Sequence, residues 1–210
     1  MIAHILVALC MFLFVFLIRA FYLIVWKNGC SVREHNSRSH PVKVMIILGS
    51  GGHTTEILRI VAGMKSDHYS PRIYVKANTD TISAIKVKEI EGTSNDFELL
   101  DIRRSREVHQ PYLASVWTTI IAILDSIPIV WKNQPDLILC NGPGTCVPLC
   151  FIAFIYKLMF IMKIRIVFVE SFCRVKTLSL TGKIMYYIAD FVIVRWKHWN
   201  ESLYRKTIYL

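Results

Sequence analysis

The six cysteines of this 210-residue chain include no C-x-x-C pair, and Cys140, Cys146 and Cys150 have no neighbouring histidine. That spacing excludes the usual structural zinc sites and favours buried, reduced thiols in a cytosol-facing body. Two familiar phosphate-binding patterns are also missing. The glycine loop at 49–54 lacks the Gly-Lys-Ser/Thr of a P-loop, and Thr54 stands where a dinucleotide fingerprint needs its third glycine. No acid closes the second apolar run, where Lys76-Ala77-Asn78 stands, and this argues against a nicotinamide oxidoreductase. Acidic residues are scarce, 15 against 25 Lys and Arg, for a formal charge of +10. No metal site and no cofactor are expected.

What is present is oil and positive charge together. At 54% hydrophobic residues the chain is too apolar for a disordered basic tail and unlike a nucleic-acid domain. A protein lying against an anionic membrane face fits this pairing, as does one that binds acidic ligands such as phosphates. Residues 2–26 form an apolar run broken only by His4 and Arg19, long enough to span a bilayer. A secretory signal would need a basic start, a shorter core and a small-x-small cleavage site, none of which is clear here. No Lys or Arg precedes the run, whereas Lys27, Arg33, Arg38 and Lys43 follow it, so a single-pass anchor with a cytosolic body is expected. Arg19 would then snorkel to the headgroups. The Asn200-Glu201-Ser202 sequon would be usable only in a lumenal body. The expected organisation is an anchor at 1–26, a charged linker at 27–41 and one domain at 42–210.

From residue 42 onward apolar runs alternate with helical patterns. The runs occupy 42–48, 72–77, 97–102, 136–140, 164–169 and 190–195, and most are continuous rather than alternating, as strands covered on both faces are. The βα alternation predicts an α/β fold, a Rossmann-like open parallel sheet with right-handed crossovers. The oily stretch 147–169 could pass for a second span. Lys157 interrupts it and its tail reads as strand, so a buried or surface-inserting helix followed by a strand is expected, with Lys157 snorkelling. Pro128 should kink the helix expected at 112–132.

In such a sheet, ligands sit beyond the carboxyl ends of the strands, and the most polar, glycine-rich loops fall there. Gly49, Ser50, Gly51, Gly52 and Thr54 lie between an apolar run and a helix start, where free backbone N–H groups and the helix end attract an anion. His53 is then a proton acceptor or donor, with capping or plain solvation as its bland alternative. Arg103, Arg104 and Arg106 suit diphosphate oxygens, or simply form a solvated basic face. Asn141, Gly142, Gly144 and Thr145 form a second small-residue loop. Glu170, beside Ser171 and Arg174, could orient a sugar hydroxyl, act as base, or pair with Arg174. Asp80 is a third acid candidate, with helix capping as its alternative.

Five ordered motifs carry a resemblance: GSGGHTTE, RSREV, CNGPGTCVP, VESFCRV and LSLTGK. Together they resemble the membrane-anchor subunit family of the dolichol-pathway UDP-N-acetylglucosamine transferase, asparagine-linked glycosylation protein fourteen. That family is similar to the amino-terminal half of bacterial peptidoglycan N-acetylglucosaminyltransferase, which has the glycosyltransferase B fold. The resemblance implies transfer of N-acetylglucosamine to dolichyl-diphosphate-N-acetylglucosamine at the cytosolic face of the endoplasmic reticulum membrane, with the nuclear membrane as a further location. It implies a separate donor-binding subunit, asparagine-linked glycosylation protein thirteen, without which the chain would be inactive. By similarity His53 lies next to the sugar hydroxyl with Glu170 beside it, and either could remove the proton. A non-catalytic scaffold for that partner is the alternative. Relatives run a few residues past the terminal TIYL, in a tail expected to dock the partner.

Overall fold

The computed structural model describes residues 2–25, 40–92, 96–105, 112–142, 144–196 and 207–209. Its strands are β1 (Val44–Ile47), β2 (Arg72–Ala77), β3 (Phe97–Ile102), β4 (Leu137–Asn141), β5 (Arg165–Val169), β6 (Phe191–Val194) and β7 (Thr207–Tyr209). They form one seven-stranded sheet in the order β3-β2-β1-β4-β5-β6-β7. Every pairing is parallel, so the Rossmann-like α/β expectation holds. The first six strands coincide with the six apolar runs. β7 was not anticipated, because a three-residue TIY carries too little pattern and is defined by pairing with β6.

The period of two along each strand divides the interior. Met45 and Ile47 of β1 face one core with Ile138, Phe168 and Val192, while Val44 and Ile46 face the other with Leu48, Tyr74 and Leu139. Helices α2 (Gly52–Ala62) and α3 (Thr81–Glu91) cover the second core through Ile57, Leu58, Val61 and Val87. Helices α4 (Tyr112–Asn133), α5 (Cys146–Leu158) and α6 (Leu180–Ile188) cover the first. All four residues of β1 are buried, which explains why its sequence shows no polar alternation. Each such side chain contributes roughly 1.5–3 kcal/mol of apolar burial.

Helix α1 (Ile2–Val25) exposes Leu6, Met11, Phe14, Leu17 and Phe21. Its second half is docked: Leu23 is buried, and Phe16, Ala20 and Ile24 pack against the first core. Arg19 does not reach away from the body as the snorkelling expectation had it. Its guanidinium donates to the carbonyls of Lys157 (2.9 Å) and Leu158 (2.8 Å) and lies 3.2 Å over the Phe160 ring. The negative end of α5 thereby finds a cation. Lys157 does not snorkel either. It is buried and meets Asp190 at 2.5 Å.

The stretch 147–169 is indeed a helix followed by a strand, α5 and β5. Ser115–Asn133, within α4, is also long and apolar enough to cross a membrane by length and composition. It continues through Pro128, which therefore does not end the helix. One side of α4, at Ser115, Ala122, Ser126, Val130 and Asn133, is buried against the domain, while Trp117, Ile120, Leu124, Ile127 and Trp131 form an exposed apolar row. The expected linker lies outside the described residues but for His40 and Pro41.

Candidate functional site

The strand order reverses between β1 and β4, where Ile47, the last residue of β1, pairs with Cys140. Loops leaving two adjacent parallel strands in opposite directions open a crevice at their carboxyl ends. A cavity of about 800 Å³ occupies that position, lined by the loops after β1, β3, β4 and β5 and the first turn of α6. The loop after β1 supplies Gly49, Ser50, Gly52 and His53; that after β4 supplies Gly142, Gly144 and Thr145; that after β5 supplies Glu170, Ser171 and Arg174. Three helices, α2, α5 and α6, begin at this edge. The positive ends of these helices and the guanidiniums of Arg104 and Arg174 give the cavity groups that favour an anion.

Local chemistry holds the glycine loop in place. Gly51 takes φ 62° ahead of α2, a conformation glycine adopts freely. Thr54 is buried and donates its hydroxyl to the Gly49 carbonyl at 2.8 Å, closing the turn. His53 is then presented at the rim, with its Nδ1 2.9 Å from Oδ1 of Asn141. Asn141 is fully buried and donates through Nδ2 to Glu56 Oε2 at 2.8 Å. The other Glu56 oxygen accepts from the Ser171 hydroxyl at 3.0 Å. A single chain of hydrogen bonds thus joins the loops after β1, β4 and β5.

Glu170 belongs to the same wall but is differently used. It is 2% exposed. Oε1 accepts from the Ser171 N–H at 3.0 Å, and Oε2 accepts from the N–H and hydroxyl of Ser179 at 2.8 and 3.0 Å. Ser179 in turn caps α6 through Gly182 N–H at 2.9 Å. The carboxylate therefore ties the start of α6 to the end of β5. The bland alternative, an ion pair with Arg174, is absent among the ion pairs of the described residues.

Several expected site residues sit elsewhere. Asp80 does not line the cavity: its carboxylate caps α3, accepting from the Ser83 N–H at 3.0 Å and the Ser83 hydroxyl at 2.6 Å. A short acid just before a helix satisfies first-turn N–H groups that would otherwise be bare. Arg103 points away and pairs with Asp125 at 3.2 Å, while its neighbour Arg104 lines the cavity. Gly51 and Thr54 shape the loop without lining it, and Asn141 acts from behind His53. Arg106 lies outside the described residues. Sequence reasoning missed Glu56, Ser105, Ser115, Thr119 and Ser179, all at the cavity wall. The four hydroxyls carry no local signal, whereas Glu56 had one, three residues after His53 on the same helix face.

A parallel sheet with its cleft at the switch point, walled by glycine loops and basic side chains, defines a Rossmann-type half of a glycosyltransferase-like fold. The crystal structure of Acinetobacter baumannii MurG shares it, with a TM-score of 0.54 at 14% identity over 73% of this chain and 41% of that one. The profile described as "Oligosaccharide biosynthesis protein Alg14 like" matches residues 44–210, and the chain belongs to that family. The protein named UDP-N-acetylglucosamine transferase subunit ALG14 in Rattus norvegicus is 48% identical over 82% of this chain and 86% of its own length. Its Homo sapiens namesake is 42% identical over 93% and 91%, and that of Yarrowia lipolytica 36% over 96% and 95%.

Proposed function

We propose that this chain is the acceptor-binding, membrane-anchoring subunit of a two-part UDP-N-acetylglucosamine transferase. In that reading α1 fixes the domain to the endoplasmic reticulum membrane with its body in the cytosol, and the exposed apolar row of α4 lies toward the lipid. The acceptor is dolichyl-diphosphate-N-acetylglucosamine. The donor sugar nucleotide is held mainly by a separate soluble subunit, asparagine-linked glycosylation protein thirteen. The observation that carries the reading is the convergence of the Gly49–Gly52 loop, His53, the Gly142–Thr145 loop and Arg174 on one cavity. Backbone donors and guanidiniums suit a diphosphate there, and the relatives' names supply the sugar nucleotide.

In the reaction a hydroxyl oxygen of the acceptor sugar attacks C1 of the donor N-acetylglucosamine. The new C1–O bond forms as the bond from C1 to the β-phosphate oxygen breaks, its electron pair leaves with UDP, and C1 inverts. The hydroxyl proton needs a nearby base. His53 suits this better than Glu170, since its side chain is 35% exposed to the cavity and the Glu170 oxygens already accept three hydrogen bonds. The full chain co-expressed with the soluble subunit, supplied with UDP-N-acetylglucosamine and a lipid-diphosphate acceptor, should transfer sugar. His53→Ala should lower turnover about 10²–10⁴-fold while the two subunits still co-purify. An unchanged rate in that variant would make the chain a scaffold.

A further inference from the structure

Glu56 takes no direct part in the proposed chemistry, yet it occupies the centre of the network behind it. Its side chain is 14% exposed, and each oxygen has a donor from a different loop, Asn141 Nδ2 at 2.8 Å and Ser171 Oγ at 3.0 Å. His53 Nδ1 lies 3.7 Å from Oε2, beyond hydrogen-bond range. Glu56 therefore acts on the imidazole through Asn141.

A carboxylate only accepts, so the Asn141 group facing it must be the NH2. The opposite amide orientation would press two acceptor oxygens together at 2.8 Å. With the NH2 committed to Glu56, the carbonyl oxygen Oδ1 faces His53 Nδ1 at 2.9 Å, and Nδ1 must carry the proton. In the neutral ring the lone pair is then on Nε2, on the far side, which has no hydrogen-bond partner among the described residues.

We infer that Glu56 is a positioning residue: through Asn141 it holds His53 as the Nδ1–H tautomer and leaves Nε2 as the atom that takes the acceptor's proton. The last clause rests on the proposed transfer reaction; the tautomer does not. Glu56 also bonds Ser171, so the same side chain sets the distance between the His53 loop and the loop that holds Glu170.

The test uses the full chain in nanodiscs, labelled with ring-15N histidine, with His53→Gln supplying the difference spectrum that assigns the signal. At neutral pH the wild-type ring should show a protonated Nδ1 and an unprotonated Nε2. Glu56→Gln keeps a carbonyl acceptor for Asn141 and should keep that pattern, whereas Glu56→Leu should release the ring to the Nε2–H form. In the assembled complex Glu56→Leu should lower kcat about 10²-fold with acceptor KM little changed, and Glu56→Gln should restore most of it. An Nε2–H signal in the wild type, or the same tautomer in Glu56→Leu, overturns the inference. The wild-type spectrum decides even where a variant fails to fold. A wild-type complex without transferase activity would remove the proton-accepting role, while the spectrum would still report the positioning.

Discussion

Gly142 lies directly against the imidazole of His53: a Cβ built on it would land on Nδ1 and Cγ of the ring. Its φ of 85° is also one that side chains resist. The glycine is there so that the loop after β4 can pass behind the histidine and leave room for Asn141. Gly142→Ala should displace the ring from Asn141 and lower transfer by about 10²-fold. It should also destabilise the fold by about 1–3 kcal/mol. Kinetics of the assembled complex, with a denaturation curve of the same preparation, check both. A rate within twofold of wild type would show that the ring position is not critical.

Glu170 is expected to act through structure. Both of its oxygens face N–H donors, so the amide of Glu170→Gln must turn its NH2 against one of them. Loss of charge-assisted bonds at a 2%-exposed site should lower unfolding free energy by about 1.5–3 kcal/mol. Hydrogen exchange should rise across residues 179–184 in the same variant. Gly182 belongs to this arrangement, since a Cβ there would meet the Glu170 carboxylate. A fully stable but inactive Glu170→Gln would return the residue to the list of candidate bases.

The buried pair of Lys157 with Asp190 offers a test of the fold away from the cavity. Asp190 also accepts the Ile166 N–H at 2.8 Å, joining α5, β5 and the turn before β6. Removing the Asp190 charge takes a buried counter-ion from Lys157, so Asp190→Asn should lower stability by about 3–5 kcal/mol. Urea or guanidinium unfolding measures this. A loss under about 1 kcal/mol would mean that water reaches Lys157.

Thiol reactivity should divide the cysteines by position. Cys140, Cys146 and Cys150 are buried, with Cys140 and Cys150 sulfurs 3.7 Å apart, whereas Cys173 is exposed at the cavity rim. Hydrogen bonding with Cys140 and then burial push the Cys146 thiol up, away from its reactive thiolate form. Maleimide labelling of the native protein, read peptide by peptide by mass spectrometry, should modify Cys173 and spare the three buried thiols until denaturant is added. Acceptor analogues should slow labelling of Cys173.

Much of this architecture can be read along the chain because a strand covered on both faces must be apolar at every position. The run VMII is all buried in β1 and RIYVKA in β2, and the other four runs, less completely covered, also form strands. The glycine loops are legible for a related reason: only residues without a side chain let the backbone turn there and approach an anion. Charged residues inside apolar stretches were not legible. Arg19 and Lys157 suggested lipid headgroups, but one ends on the carbonyls of α5 and the other on Asp190. Asp80 offered two roles with nothing nearby to choose between them, and the helix took it.

The order of elements, the buried runs and the glycine turns are therefore properties of the sequence by itself, since each depends on neighbours within a few residues. Which polar side chains meet was decided by the tertiary structure alone. Glu56 and Asn141 are 85 residues apart and touch because β1 and β4 are parallel neighbours in register. Glu170 and Ser179 meet because α6 folds back over the end of β5. A hydrogen bond is specific to within a few tenths of an ångström, and no local pattern carries that information across a sheet.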